Sequence, residues 1–311
     1  MKFKLLALLF LFTAPLLSQE VQPKDEEIQV NEFVSGSLLI PPSIEKPPLV
    51  IIIAGSGPTD RNGNQSFMKN DSYKKLARGL AKEGIASFRY DKRVLKAQEL
   101  ELQEGEMRFE DFVTDASAVL DYFQEKGDFG KFIFLGHSQG SLIGMLAAED
   151  QADAFISIAG AGRPIDSIIL DQIALQMPGF EEGSRAAFNE MRENGSTSNY
   201  NPMLEAIFRP SVQPFLISWM NYDPSKEIAE LDIPVLLLNG TNDFQVPATE
   251  AELLKEASPE AELVLLEGMN HVLVKIEGED TLTNSKSYNE PALPLHPGLV
   301  PTIVAFIKEL E

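Results

Sequence analysis

Residues 47–58 read PPLVIIIAGSGP, an unbroken apolar run rich in β-branched side chains that ends in glycines. An alternating strand buries one face, whereas an unbroken run asks for cover on both, the pattern of a strand inside a parallel sheet. The rest of the chain supplies that cover. A helix is expected over 72–84, SYKKLARGLAKEG, followed by a strand at 85–91. Phe109, Phe112, Val113, Ala116, Val119, Leu120 and Phe123 recur at helical spacing over 109–126, so that helix should lie on one face of the sheet. Strand 132–135, helix 139–149, strand 154–162, strand 233–243, helix 248–257, strand 261–270 and a last helix near 298–310 complete the series. Before it come a polar stretch, Gln19–Asn31, and an alternating segment, Phe33–Ile40, that suggests an early antiparallel strand. Strands alternating with helices predict the α/β class, a mostly parallel, doubly wound sheet.

One stretch breaks the alternation. Residues 163–230 carry no convincing strand, several helix-like segments and the aromatic-rich NPMLEAIFRPSVQPFLISWMNYDP. Insertions of that length usually carry structure or function of their own. The expected organisation is therefore a leader at 1–18, a core in two parts at 19–162 and 231–311, and a helical lid at 163–230. Phe215 and Trp219 stand in the lid's most apolar segment and are candidate pocket residues.

The leader is MKFKLLALLFLFTAPLLS, with Lys2 and Lys4 ahead of an apolar run too short to span a bilayer and interrupted by Pro15. It reads as a secretory signal cut near Ser18, which predicts a periplasmic or extracellular protein without stable membrane insertion in its mature form. Loss of two lysines leaves 24 basic against 47 acidic residues, taking the formal net charge from −21 to −23. Such a charge repels nucleic acid and anionic membranes as partners. There is no cysteine, so neither a disulfide nor a lipidated cysteine is available.

The segment FIFLGHSQGSLIGMLAAED, 132–150, runs a strand straight into a helix through Gly-His-Ser-Gln-Gly. Small residues at 136 and 140 permit a tight turn that holds Ser138 out from the sheet, the arrangement of a nucleophile elbow. A serine hydroxyl needs a base. Of three histidines, His137 adjoins Ser138 and should point away from its hydroxyl, and His296 in PLHPG reads as exposed. His271, in EGMNHVL after a strand, is the expected base, and Asp243 in LLLNGTNDFQVP is the expected partner of its imidazole. An oxyanion formed by serine attack needs two amide donors. The N–H of Gln139 opens the helix after the elbow; the second donor should be Ser56, with Gly57 the next choice. The dense charges Asp60, Arg61, Arg89 and Asp91 read as bracing of loops near the strand ends, with substrate contact by Arg61 as the alternative.

GHSQG, NGTNDFQVP and GMNH together resemble the α/β-hydrolase superfamily, particularly exported, lid-bearing members grouped with serine aminopeptidase-like and monoglyceride-lipase-like hydrolases. The resemblance runs from about residue 33 to 310. AGSGPTDRNGN, 54–64, is similar to the oxyanion loop of a bacterial esterase subgroup, with Ala54-Gly55 in place of the commoner His-Gly. After RYDKR, Val94 stands where many relatives carry glycine. The chain is thus expected to be a serine hydrolase acting on small carboxylic esters through an acyl-enzyme, with no metal or organic cofactor. Two other readings stand beside it: a serine aminopeptidase, which would need an acidic anchor such as Glu205 or Asp223, and a non-catalytic binding protein on the same fold.

Overall fold

A computed structural model describes residues 24–42, 44–149, 151–278 and 280–310; the expected leader at 1–18 lies outside them. In chain order the elements are β1 (Lys24–Gln29), β2 (Ser35–Ile40), β3 (Leu49–Ile53), α1 (Ser72–Lys82), β4 (Ala86–Tyr90), α2 (Phe109–Lys126), β5 (Phe132–His137), α3 (Gln139–Ala148) and β6 (Ala154–Ile158). Five helices follow: α4 (Ile165–Gln176), α5 (Glu181–Asn194), α6 (Glu205–Phe208), α7 (Gln213–Trp219) and α8 (Pro224–Ala229). The chain then returns through β7 (Val235–Gly240), α9 (Ala248–Ala257), β8 (Glu262–Leu266), α10 (Thr281–Ser287) and α11 (Leu299–Glu309).

The eight strands form one sheet in the order β1-β2-β4-β3-β5-β6-β7-β8. The β1–β2 and β2–β4 pairs are antiparallel and every later pair is parallel. Successive residues of the β3 run divide between two cores, as its unbroken apolar pattern requires. Leu49, Ile51 and Ile53 belong to the core that also takes in residues of α2, α3 and the α4–α8 helices, while Val50 and Ile52 belong to the core that takes in residues of α1 and α11. β5 does the same, with Phe134 on the first side and Ile133 and Leu135 on the second. Among the described residues no helix is long and apolar enough to cross a membrane.

The structure corrects two parts of the strand reading. β1 lies within the polar stretch that precedes the first expected strand. Its charged sequence, DEEIQ after Lys24, is suited to a sheet edge, where water or counter-charges meet the side chains and unwanted pairing is discouraged. β6, β7 and β8 are shorter than their apolar runs, because the last residues of each run turn into loops at the carboxyl edge. Ala159, just past β6, has φ 52°, outside the strand region.

Candidate active site

Asp243 and His271 lie in loops after β7 and β8, Ser56 in the loop after β3 and Ser138 in the turn after β5. Ser138 sits between β5 and α3 at φ 54°, ψ −120°, a strained conformation for a residue with a Cβ. Its neighbours explain how the strain is held. A Cβ on Gly136 would run into the carbonyl of Gly140, and one on Gly140 into that of Ile53, so strand and helix can approach only through glycine. The Ser138 N–H donates to the Ile158 carbonyl at 2.9 Å, fixing the turn against β6.

Asp243 lies three residues past the end of β7 and His271 on the loop after β8; both are buried. His271 Nδ1 lies 2.7 Å from Asp243 Oδ2. The other carboxylate oxygen accepts the N–H groups of Gln245 at 2.8 Å and Val246 at 2.9 Å. A carboxylate so placed can only accept, so Nδ1 carries the proton and Nε2 keeps its lone pair. Ser138 and His271 line one cavity of about 460 Å³. Among the described residues no hydrogen bond joins the serine hydroxyl to the imidazole, a contact that often tightens only with substrate bound.

His137 lines the same cavity and ties two loops together. Its Nε2 faces the His271 carbonyl oxygen at 2.9 Å and its Nδ1 faces the Tyr73 hydroxyl at 2.8 Å. The carbonyl can only accept, so Nε2 donates and Nδ1 accepts from the tyrosine. Tyr73 oxygen in turn accepts the Gly55 N–H at 3.2 Å. Burial, then the neighbouring His271, pushes His137 down to about 3, so it is neutral across the physiological range. His296 departs from the sequence expectation. It is buried, donating to the Glu267 carbonyl at 3.1 Å and accepting from Gly298 N–H at 3.1 Å, and it is absent from the cavity wall.

The backbone N–H groups of Ser56, Gly57 and Gln139 have no acceptor among the described residues, and all three residues line the cavity. Opposite them the wall is apolar, with Leu142, Ile165, Ile168, Ile169, Trp219 and Val272. Trp219 is thus part of the cavity wall. Phe215 is not in the wall; it packs at 5.7 Å edge-to-face on Phe112 and 6.3 Å from Phe109, inside the seam between α7 and α2. Beside Trp219, α4 contributes Ile165, Ile168 and Ile169, which share one face at i, i+3, i+4 spacing. That spacing is present in the sequence as PIDSIILDQI, 164–173.

Among the described residues Arg163 is the only Asp, Glu, Lys or Arg in the wall. Its charge is already engaged by Asp171 at 2.7 Å and by the buried Glu250. Glu205 and Asp223 are outside the wall. Arg61 is likewise outside it, paired with Asp91 at 2.6 Å and with Glu27, while Asp60 accepts the N–H groups of Asn62 and Asn64. Arg89 pairs with Asp25 at 3.4 Å. No group of three or more His, Cys, Asp or Glu among the described residues is placed to hold a metal ion. Lys92 and Tyr73, which touch the loop carrying Ser56, had no role in the sequence reading. A lysine inside RYDKR gives no sign that it will be buried.

A mostly parallel sheet in this strand order, an elbow serine after β5, an aspartate after β7 and a histidine after β8 define the α/β-hydrolase fold. Comparison with known proteins agrees. The sequence model of the family described as serine aminopeptidase, S33, matches residues 68–189. Esterase EstD of Thermotoga maritima is 27% identical over 275 residues, a match that spans 83% of this chain and 62% of the length of that esterase. Among solved structures, Est1E from Butyrivibrio proteoclasticus is similar with a TM-score of 0.58 at 18% identity, covering 92% of this chain and 98% of its own. An acylaminoacyl peptidase from Pyrococcus horikoshii is similar with a TM-score of 0.52 at 14% identity, over 92% of this chain and 41% of its own.

Proposed function

We propose that the protein is a serine hydrolase that cleaves small carboxylic esters through an acyl-enzyme. The observation that carries the proposal is the coincidence, on one cavity wall, of a strained elbow serine and a histidine whose tautomer is fixed by a buried aspartate. In this reading Ser138 Oγ attacks the ester carbonyl while His271 Nε2 takes its proton. Asp243 stabilises the imidazolium, and the N–H groups of Ser56 and Gln139 hold the oxyanion. His271 then returns the proton to the leaving alcohol, and water repeats the sequence on the acyl-enzyme.

The cavity wall favours an ester over an N-terminal amine as substrate. An aminopeptidase must neutralise the substrate's ammonium, and among the described residues no carboxylate lines the cavity. The α4 face and Trp219 suit an apolar acyl chain, and about 460 Å³ is within the usual range for a small ligand. Helices α4–α8, on this reading, act as the lid of the cavity. The leader remains part of the proposal: export to the periplasm or beyond, checked by N-terminal sequencing of the mature protein.

A hydrolysis panel on purified protein tests the chemistry, with short and long acyl esters set against aminoacyl arylamides. Ester turnover with fluorophosphonate labelling on the peptide containing Ser138 is expected. Arylamide turnover with inert esters would give the aminopeptidase reading first place, and a protein inert to all substrates and to the probe would leave a binding protein.

A further inference from the structure

Lys92, just past β4, is buried and has no part in the steps above. Its ammonium donates to the Gly55 carbonyl at 3.0 Å and to Gln139 Oε1 at 2.6 Å, and lies 4.6 Å from the centre of the Phe112 ring. The two acceptors belong to the two segments that carry Ser56 and Gln139, both of which line the cavity and whose amides have no acceptor among the described residues. In a trans peptide the carbonyl and the following N–H point to opposite sides. Lys92 is outside the cavity wall while Gly55 and Ser56 are in it, so a Gly55 carbonyl held on the lysine turns the Ser56 N–H away from the lysine. The same residue is pinned at its other end, since Gly55 N–H donates to Tyr73.

We propose that Lys92 is a positioning residue for the oxyanion site: by holding the Gly55 carbonyl and the Gln139 side chain together, its ammonium aims the Ser56 amide, fixes its spacing from the Gln139 amide and sets a positive charge behind the oxyanion. The inference rests on the reading of Ser56 and Gln139 as the oxyanion donors. It adds to that reading a residue that touches neither substrate nor nucleophile.

The surroundings of Lys92 make the role sensitive to pH. Burial pushes its ammonium down to about 7, against the pull of Asp115 on α2. Asp115 is itself held by Arg93 at 2.7 and 2.8 Å. Among the described residues the hydrogen-bond partners of Lys92 from the loop after β3 and from α3 are the Gly55 carbonyl and the Gln139 amide, neither of which titrates. The protonated form is the active one, so kcat/KM falls as pH rises past about 7.

The experiment uses Lys92→Met and Lys92→Cys. The chain has no other cysteine, so Lys92→Cys carries a unique thiol. Alkylation with 2-bromoethylamine in denaturant, followed by refolding, rebuilds an ammonium side chain of nearly the same length and lower intrinsic pKa. Lys92→Met is expected to lower kcat by about 10- to 100-fold, less than the loss of a whole oxyanion donor, with KM nearly unchanged. It should also abolish the alkaline fall in kcat/KM. The alkylated protein should recover kcat and show the fall at lower pH than wild type. The proposal is overturned by a wild type with no alkaline fall, or by a folded Lys92→Met enzyme with wild-type kcat or an unchanged fall. It is equally overturned by an alkylated protein that regains the wild-type circular dichroism without regaining kcat. If Lys92→Met does not fold, the alkylated protein decides. Wild-type ester turnover and labelling of Ser138 are read separately, and their failure would remove the functional reading and this proposal together.

Discussion

His137 offers a measurement that isolates one proton. In the native state its neutral ring bridges the Tyr73 hydroxyl and the His271 carbonyl, and burial holds it down to about 3. In the unfolded chain a histidine takes up its proton near pH 6.5. Below pH 6.5 the unfolded state therefore binds more protons than the native state, and stability falls with pH until about 3; above 6.5 this contribution is fully present. The slope from this group is about 1.4 kcal/mol per pH unit, or about 3 kcal/mol lost between neutrality and pH 4. His137→Gln keeps a donor and an acceptor but does not titrate. At pH 7 the variant should be less stable by about 1–3 kcal/mol, the range for a buried hydrogen bond made poorly or left open. The gap should close as pH falls and reverse between about pH 6 and pH 4. Urea unfolding of both proteins at intervals from pH 7 to pH 4 checks this. A gap that stays constant across the series would refute the claim that His137 is neutral and desolvated in the folded protein.

Ser138→Ala should abolish ester turnover and probe labelling while the urea midpoint stays put. Asp243→Asn should lower kcat by about 10⁴-fold, the loss seen when a triad histidine is left in the wrong tautomer, and steady-state assays would show it. His296→Ala should leave kcat unchanged but lower stability by about 1–2 kcal/mol, since the Gly298 N–H and Glu267 carbonyl lose their partner. Phe215→Ser should cost about 3–5 kcal/mol with unchanged preference between short and medium acyl esters, whereas Ile168→Phe should shift that preference toward short chains. A reversal of these two outcomes would return the pocket wall to α7.

The sequence carried much of the sheet because strands such as β3 and β5 announce themselves by unbroken apolar runs, and the elbow because only glycine allows strand and helix to meet at residues 136 and 140. Asp243 and His271 were legible as loop residues after strands, since parallel strands display those loops on one edge. Three features were not legible. β1 has no apolar face, because an edge strand can be held by its ladder to β2 alone. Phe215 looked like a pocket residue because a stripe of aromatic side chains has the same pattern whether it meets a cavity or another helix. Its partners are Phe109 and Phe112, about a hundred positions earlier in the chain, and local spacing carries no information about them. Lys92 stood among charged residues and was hidden by them.

The arrangement around Gly55 shows why such residues matter even when none of them touches the reacting atoms. Both hydrogen-bonding groups of this residue are engaged, its N–H by Tyr73 and its carbonyl by Lys92. Tyr73 leads through His137 to the backbone of His271, and Lys92 leads to the side chain of Gln139. The loop after β3 is thereby tied to the histidine loop on one side and to the first turn after the elbow on the other. In the proposed site a nucleophile, a base and two amide donors come from three separate strand ends, and their relative placement depends on how firmly those ends are cross-linked. Buried hydrogen bonds in a low-dielectric surrounding are suited to that task, because breaking one leaves a polar group without water to replace the partner. A neutral histidine and a lysine whose ammonium is held near its point of deprotonation therefore make different kinds of link. The first holds its charge state from neutral pH down to about 3, while the second, pushed down to about 7, changes within the range in which the enzyme would work.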